Sequence, residues 1–360
     1  MATPVQAVTS ELMQPDNRDI KPYPPSFIDR FMDWVEQLPI PYWLAYLALF
    51  ILHGLFNHVF DWVDGSLPAF AFRSGHFTWP LWLWAPLALM TFLDLTALKA
   101  VSNFGPLLDL SPEGLQRLKY ELTTMPARGV IISGFVFTCV YAILIYLLYP
   151  TYLAKGYGTL GTIHIILDGW VGYTIGTVIF YHTIRQLRLV HTTVKSVKQF
   201  NLFRLDPVYA FSVLTSRTGM ALIFLYVLTL LVTPIDYFAN PLVFFIPPLI
   251  MLVLALAAFA LPLWVVHQRL VSEKRRLLAE HDQRVESTLA RLHANLDSNE
   301  LGGLDQLDHA LSVLRGEHDV LIKIPTWPWR AGLFTGFLSV IVLPMVIFII
   351  QLGIGRWLGK

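Results

Sequence analysis

The sequence predicts an all-α polytopic membrane protein with seven transmembrane helices, N-terminus inside and C-terminus outside, and a cytoplasmic helical hairpin between helices six and seven. Three observations lead there. Of 360 residues, 55% are hydrophobic and 14% charged, with a mean hydropathy of +0.56, whereas a soluble globule is about a quarter charged. Runs of mostly apolar residues, long enough or nearly so to cross a bilayer, fall at 40–60, 77–93, 130–149, 159–181, 218–235, 238–266 and 331–355. Of the 26 Lys and Arg, 22 lie in the N-terminal segment and in the second, fourth and sixth loops, which places those segments in the cytoplasm. An odd number of spans is what this orientation requires.

The elements follow in order. Residues 1–22 read as a disordered N-terminus. The first 25 residues hold Glu11, Asp16, Asp19 and five prolines, without an apolar run after a basic start. No cleavable signal peptide is therefore expected, and the first span takes over targeting. Residues 23–39 read as an amphipathic helix on the inner leaflet: Ser26 and Asp29 form a capping box after Pro24-Pro25, and Phe27, Ile28, Phe31, Trp34, Val35 and Leu38 make one stripe.

Residues 40–266 carry spans one to six with cytoplasmic helical extensions. The second span is short unless Asp94 and Lys99 snorkel at its end. Ser111-Pro112-Glu113 is an N-cap, an N1 proline and a first-turn acid, followed by Leu115, Leu118 and Leu122 on one face. Span four runs on through Ile184, Leu187, Val190, Val194 and Val197, with Arg185, Arg188, Lys195 and Lys198 opposite. Asp206-Pro207 is expected to cap the helix into span five, and Pro247-Pro248 and Pro262 to bend span six. Trp62, Trp79, Tyr149 and Tyr157 fall near the outer boundary; Tyr42, Trp43, Trp264, Trp327 and Trp329 fall near the inner one.

Residues 267–330 form the largest soluble piece. Val271, Leu278, Val285, Leu289, Leu292 and Leu296 recur at roughly heptad spacing, a break follows at Asp297-Ser298-Asn299 and Gly302-Gly303, and Leu304, Leu307, Leu311 and Leu314 continue on a second helix. His281, His293, His309 and His318 read as solvated surface residues. Two prolines, Pro325 and Pro328, forbid a continuous helix and make an elbow that re-aims the chain into residues 331–360, the seventh span with a short outside tail.

Chemistry is sought among intramembrane polar residues, because an ionised Asp in a span costs about 2.5–3.5 kcal/mol on insertion scales. Asp168 is the clearest, with His164 one turn away at i−4, so the two could share a proton or bond each other. Span one carries His53, Asn57 and His58 toward Asp61 and Asp64, and His76 opens span two. All gather toward the outer leaflet. His53, His58, Asp61, His164 and Asp168 are the candidate ligand or ion pocket, with structural pairing and a metal site as the alternatives. Structural pairing has its own support, since Gly169, Gly172 and Gly176 make a small-residue stripe suited to close helix contact.

The sequence holds no P-loop, Gly-x-Ser-x-Gly, His-Glu-x-x-His or Rossmann fingerprint, which points away from an enzyme; no cofactor and no resident metal are expected. A net charge of +1 gives no footprint for nucleic acid. The single cysteine, Cys139, cannot make an intrachain disulfide.

Asn201-Leu202-Phe203-Arg204-Leu205-Asp206-Pro207, with Ile-Pro-Thr-Trp-Pro-Trp at 324–329, resembles a group of uncharacterised prokaryotic polytopic membrane proteins. In topology the chain resembles seven-span ion channels of the insect odorant and gustatory receptor type, and Gln351-Leu352 after an apolar run is similar to their last-span signature, with Pro344-Met345 where that signature has Thr-Tyr. This resemblance implies a homo-oligomer, a tetramer, joined through the cytoplasmic anchor. It also implies a pore lined by span seven, with Gln351 at its outer end and Val346 and Ile350 as apolar constriction residues. The expected function is an oligomeric ion channel or ligand-responsive channel-like receptor in the cell membrane, its partners being the lipid bilayer, other copies of itself and a small-molecule ligand from outside. The alternatives are a sensor or scaffold acting through the hairpin, and an intramembrane metal-dependent enzyme or transporter using the His/Asp cluster.

Overall fold

A computed structural model describes residues 21–154, 158–197, 202–203, 205–233, 241–298, 302–329 and 332–342. The helices are α1 Phe27–Glu36, α2 Tyr42–Asp64, α3 Thr78–Phe104, α4 Pro112–Thr123, α5 Ala127–Ala154, α6 Thr159–Gly176, α7 Val178–Ser196, α8 Asp206–Val232, α9 Pro241–Ala260, α10 Trp264–Asp297, α11 Leu304–Lys323 and α12 Gly332–Val342.

Among the described residues, six helical stretches are long and apolar enough to cross a membrane: Tyr42–Asp64, Ser74–Leu107, Ala127–Leu147, Thr159–Ser196, Asp206–Val232 and Leu249–Asp297. The fold is that of a multi-pass integral membrane protein. Of the seventh predicted span, α12 is the described part; the pore candidates Val346, Ile350 and Gln351 lie outside the described residues. Apolar exposure fits a bilayer best on α5, where only 11% of the apolar window is buried and Ile131, Phe135 and Ile143 stand at least 64% exposed.

Three expectations are corrected. The second span is not short, and Asp94 does not snorkel: a short 3₁₀ turn, Ser74–Phe77, feeds α3, and Asp94 sits buried well inside that helix. The carboxyl finds its partner within the protein, so its burial can be sustained. Asp206 is the first residue of α8 rather than its N-cap, which is Leu205 and makes no side-chain cap hydrogen bond. His281 is not a solvated residue; it is buried in the α10–α11 hairpin, with Nδ1 3.4 Å from Glu317.

The chain divides into two compact units, residues 1–98 with 110–182, and residues 99–109 with 183–360. In the first, α1 is held as its sequence foretells. The Ser26 hydroxyl accepts from the Asp29 amide, and Asp29 Oδ2 accepts from the Ser26 amide at 2.8 Å. The same oxygen also takes the Met125 amide at 3.0 Å, which ties the cap to the start of α5. The predicted stripe is split: Ile28 and Val35 are buried, together with Met32 from outside the stripe, whereas Phe27 and Trp34 are exposed, leaving two bulky rings for the headgroup region. Glycines set the α3–α6 distance. A Cβ on Gly172 would lie 2.7 Å from the Trp79 carbonyl oxygen, and one on Gly176 1.5 Å from that of Trp82, so the small-residue stripe lets backbone meet backbone.

In the second unit, Gly219 of α8 plays the same part, since a Cβ there would fall 2.8 Å from the Ala255 carbonyl and 2.6 Å from the Phe337 ring. The Pro/Trp elbow is an aromatic column. His267 stacks on Trp327 (3.8 Å between centroids), Trp327 on Trp329 (5.1 Å), Trp329 on Phe259 (4.8 Å) and Phe259 on Phe337 (4.3 Å). The two indoles thus join α9 and α10 to α12 where the prolines stop the helix.

Two predictions follow from this packing. Gly176→Ala should destabilise the solubilised protein by about 1–3 kcal/mol, because backbone has to shift, while Gly332→Ala, with nothing within 4 Å, should leave thermal unfolding unchanged. Burial, with the charges of Asp94 and Asp33, pushes the Glu36 carboxyl up to about 7 from 4.5. An acid raised in the folded state destabilises it once ionised, so stability should fall as pH rises from about 4.5 to about 7. Partial exposure limits the effect to about 1–2 kcal/mol, and Glu36→Gln should flatten that slope in a thermal-midpoint series against pH.

Candidate functional site

The polar residues of α2, the turn before α3, and α6 do converge. Helical spacing puts His53, Asn57 and Asp61 on one face of α2, and Asp168, on the glycine side of α6, is brought against it. Asp168 Oδ1 lies 2.9 Å from His53 Nε2, and Oδ2 accepts from Asn57 Nδ2 at 2.7 Å. Asn57 Nδ2 also donates to the His76 carbonyl at 3.1 Å, and its Oδ1 lies 2.9 Å from His164 Nε2. A carbonyl only accepts, so the His76 contact fixes which way the Asn57 amide points.

Protonation states then follow by chemistry. The Trp84 indole N–H donates to His53 Nδ1 at 3.1 Å, so that nitrogen carries no proton and Nε2–H donates to Asp168. His164 faces the Asn57 oxygen and donates through Nε2. His58 accepts the Arg73 amide at Nε2 (3.1 Å) and donates Nδ1–H to the Gly54 carbonyl (2.7 Å). His53 and His58 are thus neutral imidazoles with opposite tautomers. Phe60 stacks on His164 at 3.7 Å between centroids.

Asp61 forms the second half of the cluster. Its Oδ2 accepts from Arg73 Nη1 at 2.7 Å and lies 3.0 Å from His76 Nε2. Its Oδ1 is buried with no hydrogen-bond partner among the described residues, and a Cβ on Gly161 would come within 2.3 Å of it. The Gly161 amide meanwhile donates to Asp64 Oδ2 at 3.2 Å, so the start of α6 seats on the end of α2.

All five sequence-predicted pocket residues, His53, His58, Asp61, His164 and Asp168, therefore sit in one region, in two linked groups. One detail is corrected: His164 and Asp168 do not bond each other. Asn57 stands between them, because two side chains one turn apart on one helix both lean toward the neighbouring helix. Among the described residues no three His, Cys, Asp or Glu side chains are grouped to hold a metal ion.

Sequence reasoning missed two partners. Arg73 lies in a loop and is legible only as a charge near the membrane. His182 Nε2 meets Asp94 Oδ1 at 2.8 Å, with both side chains less than 10% exposed. Each is an ionisable residue at the end of an apolar run, which was the available signal.

Removing Arg73 should expose what the buried Asp61 carboxylate costs. Arg73→Gln is expected to destabilise by about 3 kcal/mol, and Asp61→Asn in that background to recover much of it, read as a double-mutant cycle of unfolding in detergent micelles. Additive losses would mean that the two side chains do not stabilise each other. Comparison of the chain with protein-family models, with curated proteins and with solved structures gives no match.

Proposed function

We propose that the protein is a homo-oligomeric ion channel or ligand-responsive channel-like receptor of the cell membrane, N-terminus inside, whose pocket open to the outside is the cluster of His53, His58, Asp61, His164 and Asp168. The observation that carries the reading is the state of that cluster. It holds two buried carboxylates, and among the described residues Asp168 is met by the neutral donors His53 and Asn57. Groups of this kind inside a bilayer mark ion or proton sites. Asp61 Oδ1, buried and unpartnered among the described residues, is the acceptor for a proton or a small ligand carrying a hydrogen-bond donor. The pore in this reading runs along span seven, with Gln351 at its outer end and Val346 and Ile350 narrowing it.

A second reading, a sensor or scaffold acting through the α10–α11 hairpin, is favoured by one feature. Asp282, Val285, Glu286, Leu289, Ala290 and His293 line an open face of α10, at the i, i+3, i+4, i+7 spacing of a helix seam. A second copy of the chain seated there would serve the tetrameric assembly of the first reading.

Recording from the full chain in planar bilayers tests the proposal. Currents should respond to the pH of the outer solution, Asp168→Asn should remove at least tenfold of that response, and Gln351→Ala should alter conductance. Mass photometry in nanodiscs should give a tetramer. A silent protein that is monomeric at every pH would overturn the channel reading.

A further inference from the structure

After α2 the chain reads Gly65-Ser66-Leu67-Pro68-Ala69-Phe70-Ala71-Phe72, without an ionisable side chain. This segment does not run out into solvent; it folds back along the helix it has just left. The Leu67 amide donates to the Asp61 carbonyl at 3.2 Å, the Trp62 indole N–H to the Ala71 carbonyl at 3.1 Å, and the Arg73 amide to His58 Nε2 at 3.1 Å. Arg73 is thereby level with His58, about 9 Å short of the helix end at Asp64. The rings follow the same descent: Phe70 lies against Trp62 (5.7 Å between centroids), and Phe72 stacks on His58 (5.2 Å).

Both phenylalanines nevertheless stand open, Phe70 89% and Phe72 67% exposed. Phe70 has φ 63°, in the left-handed region that a bulky L residue enters only under strain. Strain of this kind concentrates at binding surfaces, and here it leaves most of an apolar ring outside the chain. Depth sets what covers that ring. With 23 residues α2 is about 35 Å long, against a hydrocarbon core of about 30 Å. The helix therefore outruns the core by only a few residues, which puts Trp62 at the boundary and His58 inside it. Val59 and Val63, next along the helix from His58 and Trp62, belong with Leu52 and Phe56 to an exposed apolar stripe, the face that meets lipid on a spanning helix. The folded-back segment lies beside that stripe. Its backbone suits the position, since the Ala71 amide donates to the Pro68 carbonyl at 2.9 Å and Pro68 has no N–H to satisfy.

We propose that residues 67–72 are a re-entrant strap whose partner is the phospholipid of the leaflet at this end of α2, with Phe70 seated at the level of the headgroups and Phe72 beside the first acyl carbons. The strap ends on Arg73, whose guanidinium meets Asp61 Oδ2 at 2.7 Å, so the lipid-seated rings border the residue that neutralises the buried carboxylate. In the orientation proposed above this is the outer leaflet; the lipid contact rests neither on that orientation nor on the channel reading.

Spin labels on the full chain in phosphatidylcholine vesicles test this. Cys139, the native exposed thiol, is first replaced by Ser. Single labels then go to Phe70→Cys and Ala69→Cys, with Leu52→Cys as the lipid reference and Gly302→Cys, which faces open space, as the aqueous one. Collision with dissolved oxygen, which partitions into lipid, is compared with collision with a water-soluble nickel chelate. At position 70 the oxygen-to-nickel ratio should exceed that at position 302 by at least about threefold and fall short of that at position 52. A ratio equal to the aqueous reference overturns the proposal. A label at 70 shielded from both reagents also overturns it, because protein, a second copy included, then covers the ring. Should Phe70→Cys fail to fold, Ala69→Cys, an exposed neighbour outside the strained position, decides by the same ratio.

Discussion

Asp168 has to be partnered before α6 can enter a bilayer, and much of the first unit is arranged around that requirement. No water is available in the hydrocarbon to solvate a carboxylate, so both oxygens need donors from neighbouring helices. His53 and Asn57 supply them from a single face of α2. Each donor is then fixed in turn: His53 by the Trp84 indole of α3, Asn57 by the His76 carbonyl and by His164. One buried charge thereby sets the register of α2 against α6 and fixes where α3 begins. Glycine closes the arrangement, because Gly172 and Gly176 let the backbone of α6 meet that of α3.

The same logic recurs twice with different completeness. Around Asp61, Arg73 and His76 serve one carboxylate oxygen and leave the other without a described partner. Around Asp94, His182 serves one oxygen and keeps an orphan nitrogen of its own. Fully satisfied networks hold helices in place, whereas incompletely satisfied ones keep a buried group that a proton or ligand can complete. The Asp centres therefore differ in how far they are satisfied: Asp168 has a donor on each oxygen, whereas Asp61 keeps one oxygen, and the Asp94–His182 pair one ring nitrogen, without a partner among the described residues.

The second unit is built on other interactions. Its turn between α11 and α12 depends on ring stacking from His267 through Trp327, Trp329 and Phe259 to Phe337, and its helices come together at Gly219. The hairpin is held by half-buried leucines with one buried polar contact, His281 to Glu317. Such a seam is loosely packed along α10, which keeps the face around Val285 and Leu289 open.

The sequence by itself determined the class, the number of apolar runs and the local signals. Long continuous apolar stretches become helices because in a bilayer only a helix satisfies the backbone within a single segment, and Ser26 with Asp29, Ser111 with Pro112, and the Pro/Trp elbow are encoded within a few residues. It also predicted that His53, Asp61, His164 and Asp168 gather toward one end of their spans, since helical rise converts position into depth. Only the tertiary structure decided which groups meet. His164 and Asp168, adjacent on one helix, were the natural pair in sequence, yet each found its partner on α2, and Asp94 found His182 at a sequence separation of 88. Pairing across helices depends on rotation and on the close approach that glycine permits, and neither quantity is written in the periodicity of any single span.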